Sequence, residues 1–253
     1  MESTPLISII TITYNAKDVI VPTMKSIHSQ SFRDFEHIIV DGASTDETLM
    51  QARSIGDARI LSERDNGLYD AMNKGINLAR GKYLLFLNAG DSFHNEESLA
   101  AYAEYALRDY DIIYGDTVIV DARRHIIGKR HLTAPTMLTF DSFAKGMLIC
   151  HQAFMAKREI APLYDTSYRF SADYDWTIRC IKASDPRRCV NLNRITIDYL
   201  SDGLTDKNKV KSLRERYAIM AKHYGKARTL ANHVGFIFRA LKRKISDDNV
   251  IEN

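Results

Sequence analysis

Hydrophobic and polar positions follow two different periods along the first ninety residues. Short apolar and β-branched runs predict buried strands, at residues 6–13, 36–41, 59–63 and 83–88. Apolar residues at helical spacing predict helices between these runs, at about residues 15–30, 44–54 and 67–80. Strands that alternate with helices through short links predict an α/β protein, with a mostly parallel, doubly wound sheet and helices on both faces.

Residues near the predicted helix ends indicate how the helices begin and end. Asn15 follows the first strand and is expected to cap the next helix, while Pro22 predicts a later start or irregular early turns. Ser44 and Glu47 match a capping box, with Ser44 at the N-cap. Gly81 is well placed to end the third helix.

The pattern changes after residue 110. Residues 111–120 and 125–130 resemble two strands of a hairpin, and a mixed region follows them. The composition of residues 209–245 is typical of a helix. We therefore expect a catalytic domain at residues 1–205 and a basic helical extension at residues 206–253.

Charge is distributed unevenly along the chain. The whole sequence has 35 Lys and Arg against 32 Asp and Glu, and 45% of its residues are hydrophobic, which excludes a disordered protein. Residues 206–253 hold 12 basic against 5 acidic residues, whereas the rest holds 23 against 27. Such a basic segment can bind anionic lipid or nucleic acid, or form a solvated helix face.

The cysteines and the N-terminus bear on the compartment. Three widely spaced cysteines, Cys150, Cys180 and Cys189, form no C-x-x-C motif, so we expect no disulfide framework and a reducing compartment. The first residues lack the basic and apolar regions of a signal peptide. No apolar run approaches the ~18 residues of a membrane span. We therefore expect a cytoplasmic protein.

Several catalytic motifs are missing from the sequence. It has no G-x-G dinucleotide fingerprint, no complete P-loop, no H-E-x-x-H and no G-x-S-x-G. Polar residues instead follow the predicted strands, where α/β sheets bind ligands. Because Asp41, Asp65 and Asp91 are among them, this edge suits a hard cation such as Mg²⁺ or Mn²⁺ shared with substrate phosphates.

Six different sequence motifs follow one another between residues 5 and 205. They are TITYN at 11–15, VDGASTDET at 40–48, DNGLYDAMNKG at 65–75, FLNAGD at 86–91, CHQ at 150–152 and ADYDW at 172–176. Together they resemble family 2 glycosyltransferases of the GT-A fold, and in particular members that build bacterial surface polysaccharides. The resemblance implies an inverting transfer from a nucleotide-diphosphate sugar, which we expect to be a UDP-sugar, to an acceptor hydroxyl.

The resemblance also implies a nucleotide site at the first strand ends. Asp41 is expected to accept a hydrogen bond from the uracil imide, or alternatively to cap the helix that begins at residue 44 or to be simply exposed to solvent. The full predicted set is Thr11, Thr13, Tyr14, Asn15, Asp41, Asp65 and Lys74. Tyr14 could instead be a packing residue, and Lys74 a surface lysine.

A cation beside the leaving diphosphate would lower the barrier as charge develops. Asp91 is the predicted ligand for Mg²⁺ or Mn²⁺, but the sequence here departs from the family's D-x-D because it has only one acid. His151 is a further candidate ligand. The predicted sugar and acceptor contacts are Asn88, Gly90, Gln152, Asp175 and Trp176, with core packing the alternative for Trp176.

The acceptor hydroxyl must lose a proton as it attacks, and a carboxylate is the usual base. Asp173 matches the family's base position. In a helix Asp175 would lie ~200° away from Asp173, so the two cannot face one site. Asp175 would then support Asp173 or the structure.

The expected acceptor is a saccharide or a lipid-linked saccharide, and no nucleic acid is expected as a partner. Residues 233–244 form a basic amphipathic pattern that predicts contact with an anionic membrane, which would make the protein peripheral on the inner face of the plasma membrane. Packing of that apolar face on the catalytic domain or on a second subunit is the alternative. Two other classes stay open, a nucleotidyltransferase and a non-catalytic nucleotide-sugar-binding protein.

Overall fold

The computed structural model describes residues 4–130, 132–201 and 209–233. Its strands are β1 Ile7–Thr13, β2 Phe35–Asp41, β3 Arg59–Ser62, β4 Tyr83–Phe86, β5 Ser92–Phe93, β6 Ile112–Val120, β7 Ile126–Lys129, β8 Phe154–Lys157 and β9 Cys189–Leu200. Its helices are α1 Ile20–His28, α2 Thr48–Ile55, α3 Leu68–Leu78, α4 Ser98–Leu107, α5 Ala172–Ala183 and α6 Lys209–Tyr224.

The strands form one sheet in the order β3-β2-β1-β4-β8-β6-β9-β5, with β7 paired to β6. β1 to β4, β6 and β9 run in one direction, whereas β5, β7 and β8 run against them. The predicted α/β class with a mostly parallel, doubly wound sheet is therefore confirmed. Strand order reverses between β1 and β4, which is where such sheets form a ligand crevice.

The apolar run of β1 is explained by burial on both faces. Ile7 and Ile9 pack in a core with α1 and α4, while Ile10 and Ile12 pack in the opposite core with α3 and α5. A strand covered on both sides has no polar alternation, and β4 shows the same pattern. These cores hold the carboxyl ends of β1 and β4 in place at the crevice.

Two of the predicted N-caps are wrong. Asn15 lies in the left-handed region, with φ of 46°, and α1 begins later, so Pro22 falls in its first turn, where a proline is tolerated. Ser44 caps no helix, because α2 begins only at Thr48. The Ser44 hydroxyl instead donates a hydrogen bond to the Asp41 carboxylate. The first turn of α2 is bound instead by Asp46, whose carboxylate accepts from the Thr48 N–H at 3.0 Å.

The predicted C-cap at Gly81 is also wrong, since α3 ends at Leu78. Gly81 is required for a different reason. A Cβ at this position would lie 2.5 Å from the backbone nitrogen of Ser8, so the close approach to β1 leaves no room for a side chain.

The second half of the chain has more strands than predicted. The β6–β7 hairpin is confirmed, with β5, β8 and β9 as additional strands. α6 confirms the start of the predicted C-terminal helix, and a further helix covers 226–233 after Gly225. The predicted amphipathic stretch beyond residue 233 lies outside the described residues. No helix in the described part of the chain is long and apolar enough to cross a membrane.

The described part of the C-terminal segment packs on the body of the molecule. Ile219 and Met220 of α6 are buried in the core that contains α5. Glu215 accepts hydrogen bonds from the backbone N–H groups of Arg169 and Phe170 at 2.8 Å each. The division at residues 205 and 206 stays a prediction.

Candidate active site

The ends of β1 and β2 and the loop after β3 meet around Gly42. A Cβ at Gly42 would lie 2.8 Å from Asp65 Oδ2 and 3.2 Å from Tyr14 Cδ2. Tyr14 and Asp65 therefore both lie close to the position that a side chain on Gly42 would occupy. Tyr14 is 64% exposed, so an aromatic face and a carboxylate are presented together at this edge.

Asp41 has an internal role at the same edge. It is completely buried, and its carboxylate accepts hydrogen bonds from Ser62 Oγ at 2.6 Å and from the N–H and hydroxyl of Ser44. Ser62, which sequence reasoning missed, thus helps to fix Asp41. Contact between Asp41 and a uracil imide stays a prediction.

Asn15 ties the loop after β1 to the loop after β2. Its Oδ1 accepts from the Thr45 N–H at 2.9 Å, and its own N–H donates to Ser44 Oγ at 2.8 Å. Its left-handed backbone turns the chain back toward β2, which places Tyr14 on the surface. Asn15 therefore shapes the predicted nucleotide edge through the loops.

The remaining nucleotide candidates have different positions. Thr11 is fully buried and its hydroxyl lies 3.0 Å from His37 Nε2, so its predicted contact with the nucleotide stays a prediction. Thr13 is 3% exposed, and its hydroxyl has no hydrogen-bond partner within the described chain. Lys74 donates to the Arg64 carbonyl at 2.8 Å and pairs with Glu63 at 2.9 Å, so it braces the β3–α3 loop.

Asp91 lies at the crevice but is held by internal partners. Gln152 Nε2 donates to Asp91 Oδ2 at 2.7 Å, and the Leu200 N–H donates to Oδ1 at 2.9 Å. Burial raises the pKa of Asp91 to about 7, against the opposing effects of these donors and of the nearby Arg124 charge. The predicted sugar contact Gln152 thus binds Asp91 directly.

The residues near Asp91 suit a hard cation to a limited degree. Asn88 Oδ1 is buried without a hydrogen-bond partner among the described residues, and each oxygen of Asp91 keeps one lone pair beyond its internal bond. Ligating carboxylates are commonly hydrogen-bonded in this way. Within the described ranges, however, no three acidic, His or Cys side chains are grouped to hold a metal ion. The chain therefore supplies oxygen ligands but no complete cage.

Gly90 lies in the turn between Asn88 and Asp91, and its φ of 105° is a conformation that favours glycine. A Cβ there would lie 3.2 Å from Leu200 Cδ2. The predicted contact of Gly90 with sugar stays a prediction, but the glycine is needed for the turn that carries Asn88 and Asp91.

Asp173 stands in the first turn of α5 and is partly exposed. Tyr69, from α3, donates its hydroxyl to Asp173 Oδ1 at 3.0 Å. The Tyr69 ring stacks on Tyr164, whose hydroxyl lies 2.5 Å from His151 Nε2. Burial lowers the pKa of His151 to about 4, against the nearby charge of Asp173, so this imidazole is neutral at pH 7.

This arrangement brings Asp173 and His151 into one network and occupies one nitrogen of the proposed metal ligand His151. Tyr69 and Tyr164 were missed by sequence reasoning. Tyr69 lies within the 65–75 block that carries the family resemblance, which was an available signal. Tyr164 lies in an irregular segment with no pattern to mark it.

Two of the predicted sugar or acceptor contacts lie at fully buried positions. Trp176 is completely buried, its ring stacks on Tyr164, and its Nε1–H donates to the Pro162 carbonyl at 2.7 Å, so the core alternative is correct. Asp175 is also completely buried and faces α6, where His223 Nε2 lies 2.8 Å from its Oδ1. The helical spacing placed Asp175 away from Asp173, as the structure confirms.

The α/β sheet with its crevice at the β1–β4 reversal is a GT-A fold. The chain matches the family model "Glycosyl transferase family 2" over residues 8–162. It is 35% identical over 226 residues to a PGL/p-HBAD biosynthesis glycosyltransferase of Mycobacterium tuberculosis, covering 83% of this chain and 84% of that protein. The chain therefore belongs to glycosyltransferase family 2.

Other relatives and solved structures agree with this assignment. The putative teichuronic acid biosynthesis glycosyltransferase TuaG of Bacillus subtilis is 33% identical over 167 residues, covering 61% of this chain and 63% of TuaG. Residues 1–349 of S. aureus TarS share the fold with a TM-score of 0.70 and 17% identity, covering 91% of this chain and 72% of that chain.

Proposed function

We propose that this glycosyltransferase moves a sugar from a UDP-sugar to a hydroxyl of a lipid-linked saccharide during synthesis of a cell-surface polysaccharide, with inversion at the anomeric carbon. The observation that carries the proposal is Asp173, a partly exposed carboxylate held by Tyr69 at the open crevice of a family 2 fold. The names of the relatives, which concern PGL/p-HBAD and teichuronic acid biosynthesis, support the acceptor class.

The donor nucleotide would lie at the end of β1 and β2. The exposed ring of Tyr14 offers a stacking face, and Asp65 offers a carboxylate beside it. The buried hydroxyl of Thr13 has no hydrogen-bond partner among the described residues and can bind ribose or phosphate. S. aureus TarS has been solved with UDP and with UDP-GlcNAc, which supports a uridine donor.

The reaction is a single displacement in which Asp173 acts as base. Because Tyr69 occupies Oδ1, Oδ2 is the oxygen that would accept the proton of the acceptor hydroxyl. That hydroxyl oxygen forms the new bond to the anomeric carbon as the bond to the diphosphate breaks, and UDP leaves with the electron pair. Neutral His151 stays beside Asp173 without adding charge.

A divalent cation, Mg²⁺ or Mn²⁺, would neutralise charge on the leaving diphosphate when bound. Asn88 Oδ1 and the Asp91 carboxylate are the side chains that would hold it. A solved relative by fold, glucosyl-3-phosphoglycerate synthase of Mycobacterium tuberculosis, carries Mn²⁺ and UDP, at 17% identity and a TM-score of 0.60, covering 87% of this chain and 80% of that chain. Cytoplasmic location with peripheral membrane contact through the basic tail belongs to the same proposal.

The first experiment is calorimetric titration with UDP, GDP and dTDP, each with and without Mn²⁺, followed by a donor-hydrolysis assay. We expect UDP alone to bind in the presence of Mn²⁺, and the enzyme to release UDP rather than pyrophosphate. Asp173→Asn should reduce turnover by about 10³-fold, since general-base catalysis contributes about 10²–10⁴. UDP affinity should be unchanged.

Asp34→Asn is the matched control, because Asp34 is an exposed carboxylate at the opposite, amino end of β2. Full turnover in Asp173→Asn would refute the role of Asp173. Release of pyrophosphate would favour the nucleotidyltransferase class instead.

A further inference from the structure

A cavity apart from the crevice lies between β6, β9 and the chain that leads to His151, and we call it the β6–β9 cavity. Its volume is about 220 Å³, and its polar lining includes Asp116, Thr117, Lys129, Arg130, Asn191 and Asn193. Sites that enclose drug-sized ligands measure about 300–1,000 Å³, so this cavity suits one ring-sized group.

The charged groups of the cavity are largely uncommitted. The side chains of Asp116 and Lys129 make no hydrogen bond or ion pair with the described residues, and Arg130 donates to the Met147 carbonyl at 3.2 Å. Asn191 is already used, because it donates to the Pro135 carbonyl and accepts from the Asn193 N–H. Ligand contacts would therefore come from one carboxylate and two cations.

This combination selects a class of ligand. A carboxylate accepts hydrogen bonds from sugar hydroxyls, and Asp116 is the carboxylate of this lining. Leu148 and Ile195 add apolar surface for the C–H face of a ring. Two cations against one acid leave one positive charge to be matched by an anionic group on the ligand.

The cavity lies beyond β4, on the side of the sheet away from the candidate nucleotide residues. The candidate nucleotide residues stand at β1 to β3, whereas β6 and β9 lie beyond β4 in the opposite direction. Its wall is also connected to the crevice. Cys150 lines the cavity, and its thiol contacts Gln152 Oε1, while Gln152 binds Asp91.

We propose that the β6–β9 cavity binds one sugar unit of the acceptor and that this unit carries an anionic group, either a uronate carboxylate or a phosphate. The inference rests on the proposed function, since it names the acceptor of that reaction. Asp116 accepts hydrogen bonds from sugar hydroxyls, and Lys129 with Arg130 pairs with the anion.

The test is saturation-transfer NMR on the full chain with UDP present, using glucuronate, glucose 6-phosphate and glucose as probes. At about 10 mM probe we expect binding with Kd near 1 mM for at least one anionic sugar, and at least about tenfold weaker binding of glucose. Whichever of glucuronate and glucose 6-phosphate binds more tightly shows whether the site prefers a carboxylate or a phosphate.

Lys129→Gln should abolish the preference for the anionic sugars over glucose, and Asp116→Asn should weaken the binding of all three probes. Lys25→Gln, at an exposed lysine on α1, is the matched control and should change nothing. Calorimetry with UDP on each variant checks that the chain is folded and that the donor site is intact.

The proposal is overturned if no probe binds the wild-type chain, if glucose binds as well as both anionic sugars, or if Lys129→Gln keeps the preference. If UDP binds while these results are negative, the inference alone fails. If UDP and UDP-sugars do not bind at all, the proposed function fails independently of the cavity.

Discussion

At the scale of single residues, the proposed reaction depends on how one carboxylate is held. Tyr69 reaches Asp173 from α3, and its ring stacks on Tyr164, so a packed element orients a group on another helix. Burial raises the pKa of Tyr69 well above 10, and the charge of Asp173 adds to this effect, so the hydroxyl remains a donor at neutral pH. Tyr69 therefore acts as a positioning residue.

Tyr69→Phe should lower kcat by about tenfold or more while KM for the donor and UDP affinity stay unchanged, since each 1.36 kcal/mol lost in the transition state costs tenfold. Phe keeps the ring stacked on Tyr164 and removes only the hydrogen bond to Asp173. Tyr168→Phe is the control, because Tyr168 lies near α6 and its ring contact with Lys222 survives the change. Steady-state kinetics measures kcat and KM for both variants. An unchanged kcat in Tyr69→Phe would show that Asp173 does not need the hydrogen bond from Tyr69.

Asp91→Asn should weaken the Mn²⁺-dependent part of UDP binding by at least about tenfold, because a neutral amide is a poorer ligand than a carboxylate. UDP binding in EDTA should be unchanged. Calorimetry of UDP with Mn²⁺ or EDTA measures both, with Asp34→Asn as the control. If Asp91→Asn loses thermal stability but keeps its Mn²⁺ response, Asp91 is a structural residue and not a ligand.

At the scale of elements, α5 is held on α6 by a buried charge. Asp175 is fully buried and pairs with Arg179 at 2.6 Å, His223 at 2.8 Å and Lys222 at 3.3 Å. Burial alone would raise the pKa of Asp175, but these partners hold it at about 2. The ionised Asp175 therefore stabilises the fold above about pH 4, which is its pKa in the unfolded chain. This stabilisation is lost as the pH falls toward 2.

His223→Gln should lower the free energy of unfolding by about 2 kcal/mol. Breaking a buried pair costs about 3–5 kcal/mol, and two cations remain beside Asp175 to reduce the loss. Urea denaturation measures the change. Lys226→Gln, at an exposed lysine after α6, should stay within about 0.5 kcal/mol of wild type. Equal midpoints for both variants would show that the contact between α5 and α6 does not stabilise the fold.

At the scale of the whole molecule, buried histidines control how stability depends on pH. Burial lowers the pKa of His37 to about 3 and that of His151 to about 4, against an unfolded value near 6.5. Between these values the unfolded chain binds more protons, so both histidines destabilise the fold as the pH falls. Asp91 acts in the opposite direction, because its raised pKa lets the folded state hold a proton up to about pH 7.

For these three groups the net difference is about one proton, so together they should lower the free energy of unfolding by about 1.4 kcal/mol per pH unit between pH 6 and pH 4. Urea denaturation across this range measures the slope. His37→Gln should reduce the slope by about 1.4 kcal/mol per pH unit, since it removes one titrating group from the difference between the folded and unfolded chains. A slope that His37→Gln does not change would contradict the assignment to His37.

The sequence by itself determined the α/β class, the first four strands, the β6–β7 hairpin and the start of α6. These elements are set by local apolar periodicity, which any chain with the same pattern would follow. The order of the blocks along this one chain also identified the family. Cap positions failed because Ser44 and Asn15 bind across loops rather than along one helix.

Only the tertiary structure decided which polar residues meet. Thr11 and Trp176 have the residue types of ligand contacts, but the sheet and the aromatic core bury them. The Tyr69–Asp173 bond joins positions 104 residues apart, and no local pattern encodes such a pair. The β6–β9 cavity likewise exists because distant strands pair side by side. Burial and long-range proximity are properties of the packed chain, so they set the site, while periodicity sets the elements that carry it.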